Sequence, residues 1–161
     1  MKRILGFLIL ILLLAACQGG KTSQTLRSAY YWSTTWQMDS SKMNFIREHH
    51  IKRLYVRYFD VVMDEDREAM PNATIQFLSP IPKNIEIIPV VYIMNDCMKS
   101  NNHLADKIFR RILQINDAND IKGVKEIQID CDWTASTQQA YFDFLKILKK
   151  KAQAKQMKLS V

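Results

Sequence analysis

The residues best able to do chemistry lie in the segment EIQIDCDWT, residues 126–134. Asp130 and Asp132 are two positions apart, so on a β-strand their carboxylates share one face with Gln128, and the residues between them face the other way. Two carboxylates this close push their pKa values apart, which is what general acid and base catalysis needs. The pattern predicts that Asp130 and Asp132 are catalytic; the structural alternative is a salt-bridged pair with Arg57 as the cation.

Three further polar residues are candidates for contact with a substrate. Arg57 belongs to a predicted strand over residues 51–59, IKRLYVRYF, where a guanidinium facing inward binds carboxylates or hydroxyl-rich ligands. The alternation of this strand predicts the following side chains on the same face: Arg53, Tyr55, Arg57 and Phe59. Asp60 follows this strand and Asp96 follows the next, at the strand ends where parallel α/β folds carry their active sites. As loop aspartates, both are alternatively turn formers or helix caps.

Large aromatic side chains end two of the predicted strands. Tyr31, Trp32 and Trp36 end the first strand, and Trp133 ends the fourth. A flat aromatic face at the mouth of a sheet stacks on a sugar ring, because ring C–H groups meet the π face. We therefore predict that Trp32 and Trp133 bind substrate, and the alternative is that these aromatics belong to the core.

Several classes of site are not indicated by the sequence. It contains no HExxH, no paired-cysteine metal spacing, no glycine-rich phosphate loop and no GxSxG. We expect no metal and no cofactor, and no nucleic-acid partner, since no recognisable motif for one is present. We expect Cys97 and Cys131 to be unpaired thiols, with a disulfide as the alternative in an oxidising compartment.

Strands and helices alternate along the chain. Apolar and aromatic runs predict strands over residues 28–35, 51–59, 85–94, 124–133 and 157–161. Caps and helical spacing predict helices over residues 39–49, 104–115 and 136–156, with Phe45 and Phe142 facing inward, and residues 60–74 form a charged connection. The fold class is α/β with parallel (β/α) repeats, predicted as the N-terminal half of a TIM-type barrel truncated in the fifth strand. A small open α/β sheet is the alternative.

The N-terminus predicts export. A basic start is followed by the apolar run 4–14, which is shorter than the roughly 20 residues a membrane span needs. The next residues, LAAC at 14–17, resemble the bacterial lipoprotein box. That resemblance implies a lipoprotein signal peptide over residues 1–16, acylation of Cys17, including palmitate, and a lipidated tether over residues 17–27 before the domain at 28–161. An ordinary signal peptide is the alternative.

The same resemblance has consequences for location. The position after Cys17 is not Asp and no acidic cluster follows, which by similarity to lipoprotein sorting implies the outer membrane, facing the periplasm, with exposure at the cell surface as the alternative. Several acyl chains anchor stably, because each buried CH2 contributes about 0.8 kcal/mol. The lysines of residues 146–158 could contact anionic lipid headgroups or acidic glycans, and the alternative is a solvated helix face.

Composition is consistent with one globular domain. The 161 residues are 48% hydrophobic and 24% charged, with a net charge of +7. These values exclude a disordered tail, a collagen-like fibre and a protein with several membrane spans.

Longer segments resemble a known family. YYWSTTW, IKRLYVRYFDV, EIIPVVYI, EIQIDCDWT and KLSV look like an uncharacterised family of bacterial envelope lipoproteins with a glycoside-hydrolase-like barrel, over most of residues 28–161. In that family the chain continues through further barrel units. Residues 130–133 also resemble the first four positions of the Asp-x-Asp-x-Glu motif of chitinase-like barrels, with Thr134 where the acid Glu stands. Threonine cannot protonate a leaving group at neutral pH, which argues against the substrate-assisted chitinase mechanism.

Two functions are compatible with these residues. The first is a membrane-anchored carbohydrate-active enzyme that uses Asp130 and Asp132. The second is a non-catalytic glycan-binding or structural lipoprotein on the same scaffold. In a third hypothesis the chain is a non-functional fragment, because half a barrel leaves a sheet edge open. The candidate substrate-binding residues are Arg57, Asp60, Trp32, Trp133 and Asp96.

Overall fold

The computed structural model describes residues 26–99 and 103–161. The strands are β1 (Arg27–Tyr31), β2 (Thr35–Trp36), β3 (Ile51–Met63), β4 (Ala69–Asn72), β5 (Gln76–Phe77), β6 (Glu86–Ile93), β7 (Glu126–Cys131) and β8 (Lys158–Ser160). The helices are α1 (Ser40–Glu48), α2 (Leu104–Ala118) and α3 (Gln138–Ala154), with a 3₁₀ helix at Asn95–Lys99. The predicted signal peptide, its cleavage site and Cys17 lie outside the described residues. No helix within the described ranges is long and apolar enough to cross a membrane.

Five strands form one parallel sheet in the order β1-β3-β6-β7-β8. β4 pairs antiparallel with β3 as a hairpin, and β2 pairs with β5 in a separate small sheet. Each successive parallel strand is added on the same side of the previous one, and right-handed crossovers of this kind leave their helices on one face of the sheet. Residues of all three helices belong to the core. The predicted α/β class is confirmed. Over the described residues the sheet is open, with β1 and β8 at its edges.

The core lies between the sheet and the helices. Ile127 and Ile129 of β7 are buried there, as predicted from their alternation with polar residues, and Cys131 packs against them. Leu148 of α3 is fully buried opposite them. Apolar side chains recur at every second residue of the strands and at every third or fourth residue of the helices, and together they form one continuous apolar layer.

Two aromatic residues that were predicted to face inward lie outside this core. Phe45 is 52% exposed and Phe142 is 42% exposed. The buried residues of α3 follow helical spacing from Tyr141 through Phe144 to Leu148, and Phe142 is about 100° of helical rotation from Tyr141. The prediction for Phe142 was therefore one position off the buried stripe. Phe45 likewise adjoins the buried Ile46 and packs on the ring of His49 instead.

Strand β3 is longer than predicted and contains a bulge. It runs for 13 residues, so Asp60 is a strand residue rather than the start of a loop. Arg57 pairs with Val90 and Phe59 with Val91, which leaves Tyr58 without a partner on β6. One extra residue reverses the alternation of faces. Phe59, predicted to share a face with Arg57, is therefore buried at 1% exposure, and Asp60 takes its place on the face of Arg57.

The bulge is anchored by its own residue. The carbonyl of Tyr58 accepts from the amide of Ile75 at 2.8 Å, and its buried hydroxyl donates to Oδ1 of Asn116 at 2.7 Å. Burial raises the pKa of the Tyr58 hydroxyl, which therefore stays a donor at any ordinary pH. This contact joins β3 to the end of α2.

We expect Asn116→Leu to lower the free energy of unfolding by about 1–3 kcal/mol, because it leaves the buried Tyr58 hydroxyl without an acceptor. Urea denaturation measures this change. Adding Tyr58→Phe to Asn116→Leu removes the unsatisfied donor and should recover most of the loss. If the double variant is as unstable as the sum of the two single variants, the hydrogen bond is not the cause.

Candidate functional site

The face of the sheet opposite the helices carries the polar side chains, and we call it the polar face. Gln128 and Asp130 lie on it, as their alternation with buried isoleucines predicts. Register pairs Tyr92 with both Asp60 and Asp130, so these three residues lie side by side on neighbouring strands. Two of these three residues are aspartates, so the polar face carries carboxylates near the carboxyl ends of its strands.

The amino end of the polar face holds an ion-pair network. Nη2 of Arg53 lies 3.0 Å from Oε2 of Glu86, and Nη1 lies 3.6 Å from Oε2 of Glu126. The hydroxyl of Tyr55 donates to Glu126 at 3.4 Å. Every carboxylate here has a partner, so this network fixes the register of three strands and offers no free acid or base.

Arg57 pairs with Asp60. Its Nε donates to Oδ1 of Asp60 at 2.7 Å, and its Nη2 donates to Oδ2 of the same carboxylate. This two-point contact is the strongest geometry between guanidinium and carboxylate. Arg57 therefore neutralises Asp60 and not Asp130, contrary to the ion pair considered from the sequence.

Asp130 and Asp132 differ in their surroundings. Oδ2 of Asp132 accepts from the hydroxyl of Tyr92 at 3.2 Å. Asp130 receives no hydrogen bond from any described residue, and burial, followed by the negative charge of Asp132, raises its pKa. Its protonated form is thereby favoured. Of the two, Asp130 is the carboxyl suited to donate a proton, and Asp132 is held in position by Tyr92.

Three stacked aromatic rings lie on the polar face, and we call them the aromatic ladder. The rings of Trp32 and Tyr30 stack with centroids 5.7 Å apart, and those of Tyr30 and Tyr55 with centroids 4.9 Å apart. The hydroxyl of Tyr30 donates to Oε1 of Gln128 at 3.1 Å, which fixes the ladder to β7. Trp32 is 46% exposed and Tyr30 is 52% exposed. Such a solvent-facing aromatic surface is typical of a binding site.

The other tryptophans have different surroundings. Trp36 is fully buried between Tyr31 and Phe77, so it belongs to the core. Trp133 is 40% exposed, but its ring stacks on Tyr141 of α3 with centroids 6.0 Å apart. Trp133 is thus held by the helix and does not join the aromatic ladder.

Thr134, which stands where chitinase-like barrels carry the acid Glu, is part of a turn. The Thr134 hydroxyl lies 3.0 Å from Oγ of Ser136, and its amide donates to Oγ1 of Thr137 at 3.0 Å. The amide nitrogen of Asn95 donates to the Thr134 hydroxyl at 3.4 Å. These contacts secure the turn before α3 and supply no acid. Asp96 is exposed in the 3₁₀ helix next to Asn95.

The two described cysteines are unpaired. The thiol of Cys97 is buried against the carbonyl of Val61 at 3.5 Å. Burial raises the pKa of Cys97 to about 12 and that of Cys131 to about 11, so both remain thiols at neutral pH. Neither suits nucleophilic catalysis, which needs a thiolate.

Sequence reasoning missed Tyr30 and Tyr92 as site residues. Both were visible as aromatic residues in predicted strands, but only the register places Tyr92 between Asp60 and Asp130. The signal that could have identified Tyr92 is a tyrosine on one predicted strand placed in register with an aspartate on the neighbouring strand.

Comparison with models of protein families, with curated proteins and with solved structures finds no match. No group of three or more His, Cys, Asp or Glu able to hold a metal ion occurs in residues 26–99 and 103–161. The geometry of the site itself therefore indicates which chemistry it can support.

Proposed function

We propose that the carboxyl end of the polar face binds a glycan. The observation that carries this proposal is the exposed aromatic ladder, which a hydrogen bond from Tyr30 joins to Gln128 on the strand that also carries Asp130. An aromatic face supplies the apolar contact with a sugar ring, and carboxylates and Gln128 supply acceptors for its hydroxyl groups.

The charges of this region favour a neutral or amino sugar. Three carboxylates, Asp60, Asp130 and Asp132, share the region with one guanidinium, that of Arg57. The guanidinium is already bound by Asp60, so among residues 26–99 and 103–161 this region offers no free cation for an acidic sugar. Like charges facing each other lower affinity, and we therefore propose that uronic acids and sialic acids are rejected.

We expect Trp32→Ala to weaken glycan binding about thirtyfold, since truncating an exposed anchor tryptophan typically costs about 2 kcal/mol. The full chain is screened on an array of neutral, amino and acidic glycans, and the affinity for the best ligand is then measured by calorimetry. Phe45→Ala, an equally exposed aromatic on α1, is the matched control and should leave the affinity unchanged. Equal affinity of the Trp32→Ala and wild-type chains would contradict the proposal.

Hydrolysis of a glycosidic bond is the second candidate function, and the raised pKa of Asp130 favours it. Asp130 would donate the proton to the leaving oxygen, and Asp132 or Asp60 would act as the second carboxylate. The backbone positions of Asp60 and Asp130 are two strand spacings apart, about 10 Å. For this chemistry the side chains would have to hold their carboxyl groups at the roughly 6.5–9.5 Å of inverting glycosidases, which leaves room for a water molecule.

We further propose that the sheet is the N-terminal half of a TIM-type barrel. The order β1-β3-β6-β7-β8, with the helices on one face, supports this, because doubly wound sheets reverse their order and carry helices on both faces. Sequencing the genomic DNA after the codon of Val161 tests it. Further in-frame βα units would support the proposal, and a strand order that reverses in a longer product would contradict it.

The envelope location is proposed from LAAC at residues 14–17. We expect radioactive palmitate to label the wild-type chain, and Cys17→Ala to lose all label and to leave the outer-membrane fraction. Cys97→Ala, which removes a buried thiol, is the control and should keep the label. Label retained in Cys17→Ala would contradict lipidation at Cys17.

A further inference from the structure

A second cleft lies on the helix side of the sheet, remote from the aromatic ladder. It has a volume of about 300 Å³ and is bounded by the β3–β4 hairpin and by α2. Its floor is apolar and includes the buried Phe59, Val61 and Ile108. This volume is at the lower end of the range for small-molecule pockets, roughly 300–1,000 Å³.

Three basic residues of α2 line this cleft: Lys107, Arg110 and Arg111. Within the described residues, no carboxylate lies within 4.0 Å of their side-chain nitrogens. Asp106 on the same helix pairs with Lys151 of α3 instead. The cleft therefore carries unneutralised positive charge above an apolar floor.

One donor at the cleft is buried without an acceptor. Nε of Arg111 is inaccessible to solvent and has no hydrogen-bond partner in the part of the chain described. A buried charged donor without a partner is costly, because it loses its bound water and gains nothing in return. The Nη atoms of the same guanidinium have no partner within the described residues and are not fully buried, so they are the donors that an incoming anion would reach.

We propose that this cleft binds an amphipathic monoanion, a carboxylate or sulfonate on a short alkyl or aryl chain. The anionic head accepts from Arg111 and is attracted by Lys107 and Arg110. The chain lies over Phe59 and Ile108. A cationic ligand would meet only basic residues in the lining, and a polyanion without an apolar part, such as inorganic pyrophosphate, would leave the apolar floor uncovered.

Calorimetric titration of the full chain with octanoate tests the proposal. Octanoate is expected to bind, and 1-octanol, which has the same chain length without the charge, is expected to bind at least tenfold more weakly. Arg111→Met keeps the aliphatic stem and removes the donors, so it should weaken octanoate at least tenfold. Arg47→Met, an exposed arginine of α1, is the control and should change the affinity by less than twofold.

A second variant keeps the test decisive if Arg111→Met does not fold. Ala69→Leu adds bulk to the wall of the cleft and should also weaken octanoate at least tenfold. The proposal is overturned if octanoate does not bind, if octanol binds equally well, or if the cleft variants match the wild-type chain. Glycan binding through Trp32 is on the other face, so either result leaves that proposal to its own test.

Discussion

The Asp130→Asn variant is expected to lose glycosidic-bond hydrolysis by about 10²–10⁴-fold and to be more stable than the wild-type chain at neutral pH. The loss follows because a carboxamide cannot donate the proton that the leaving oxygen needs, and general acid catalysis contributes about this factor. Hydrolysis is measured as release of reducing ends from the glycan that binds best. The gain in stability is measured by urea denaturation at pH 7.

The sign of the stability change follows from the direction of the pKa shift. The pKa of Asp130 is raised in the folded chain, so the folded state binds this proton more tightly than the unfolded state. Its stabilising contribution is complete below the unfolded pKa, about 3.9, and is lost as pH rises through the raised folded value. At pH 7 the ionised carboxylate is therefore unfavourable, and asparagine removes that penalty. The gain should vanish in acid.

Asp120→Asn is the matched control, because the Asp120 carboxylate is exposed and paired only with Lys122. It should leave hydrolysis unchanged and should not give a gain in stability at pH 7 that vanishes in acid. If Asp130→Asn is less stable than the wild-type chain at pH 7, Asp130 belongs to a structural ion pair. If neither the wild-type chain nor the variant hydrolyses glycans but both bind them, the face is a binding module.

If Asp60 is the second carboxylate, Asp132→Asn should shift the pH profile of the same reaction, whereas loss of activity would assign that role to Asp132. The negative charge of Asp132 is one cause of the raised pKa of Asp130, so removing it lowers the pKa of Asp130. The limb at which activity falls with rising pH should then move to lower pH. A limb that stays in place would mean that Asp132 does not act on Asp130, or that another group is the acid.

The sequence predicted the faces of β7 well and those of β3 only in part. In β7, buried isoleucines alternate with polar residues without interruption, so the face of Asp130 follows from period two alone. In β3, Tyr58 and Phe59 are adjacent, and nothing local indicates that both turn away from Arg57. The bulge depends on Asn116 and on the partner strand, which are distant in sequence.

The tryptophans illustrate the same limit. Trp32 and Trp36 are four residues apart and of one type, yet the first is exposed in the aromatic ladder and the second is fully buried. The difference arises because β2 pairs with β5, a contact across about forty residues of chain that local spacing does not encode. The sequence named Trp32 and Trp133 as binding residues, and only the topology shows that Trp32 stacks on the exposed Tyr30 whereas Trp133 stacks on Tyr141 of α3.

Leu148→Ala is expected to lower the free energy of unfolding by about 2–5 kcal/mol, the range for deleting a buried leucine side chain. Leu148 is fully buried where α3 packs on the sheet, so the shortened side chain leaves a cavity that the close-packed layer cannot fill. A domain of this size is stable by only about 5–15 kcal/mol, so the urea midpoint should fall sharply.

Ile147→Ala separates this packing effect from a general effect on α3. Ile147 is the next residue and is 50% exposed, so its truncation should cost about 0.5 kcal/mol or less. Both variants, when folded, should bind glycan like the wild-type chain, because the aromatic ladder lies on the opposite face. Equal losses of stability would mean that α3 does not present Leu148 to the sheet. The assignment of Asp130 to the polar face would then lose its support, because that assignment requires the isoleucines of β7 to pack against α3.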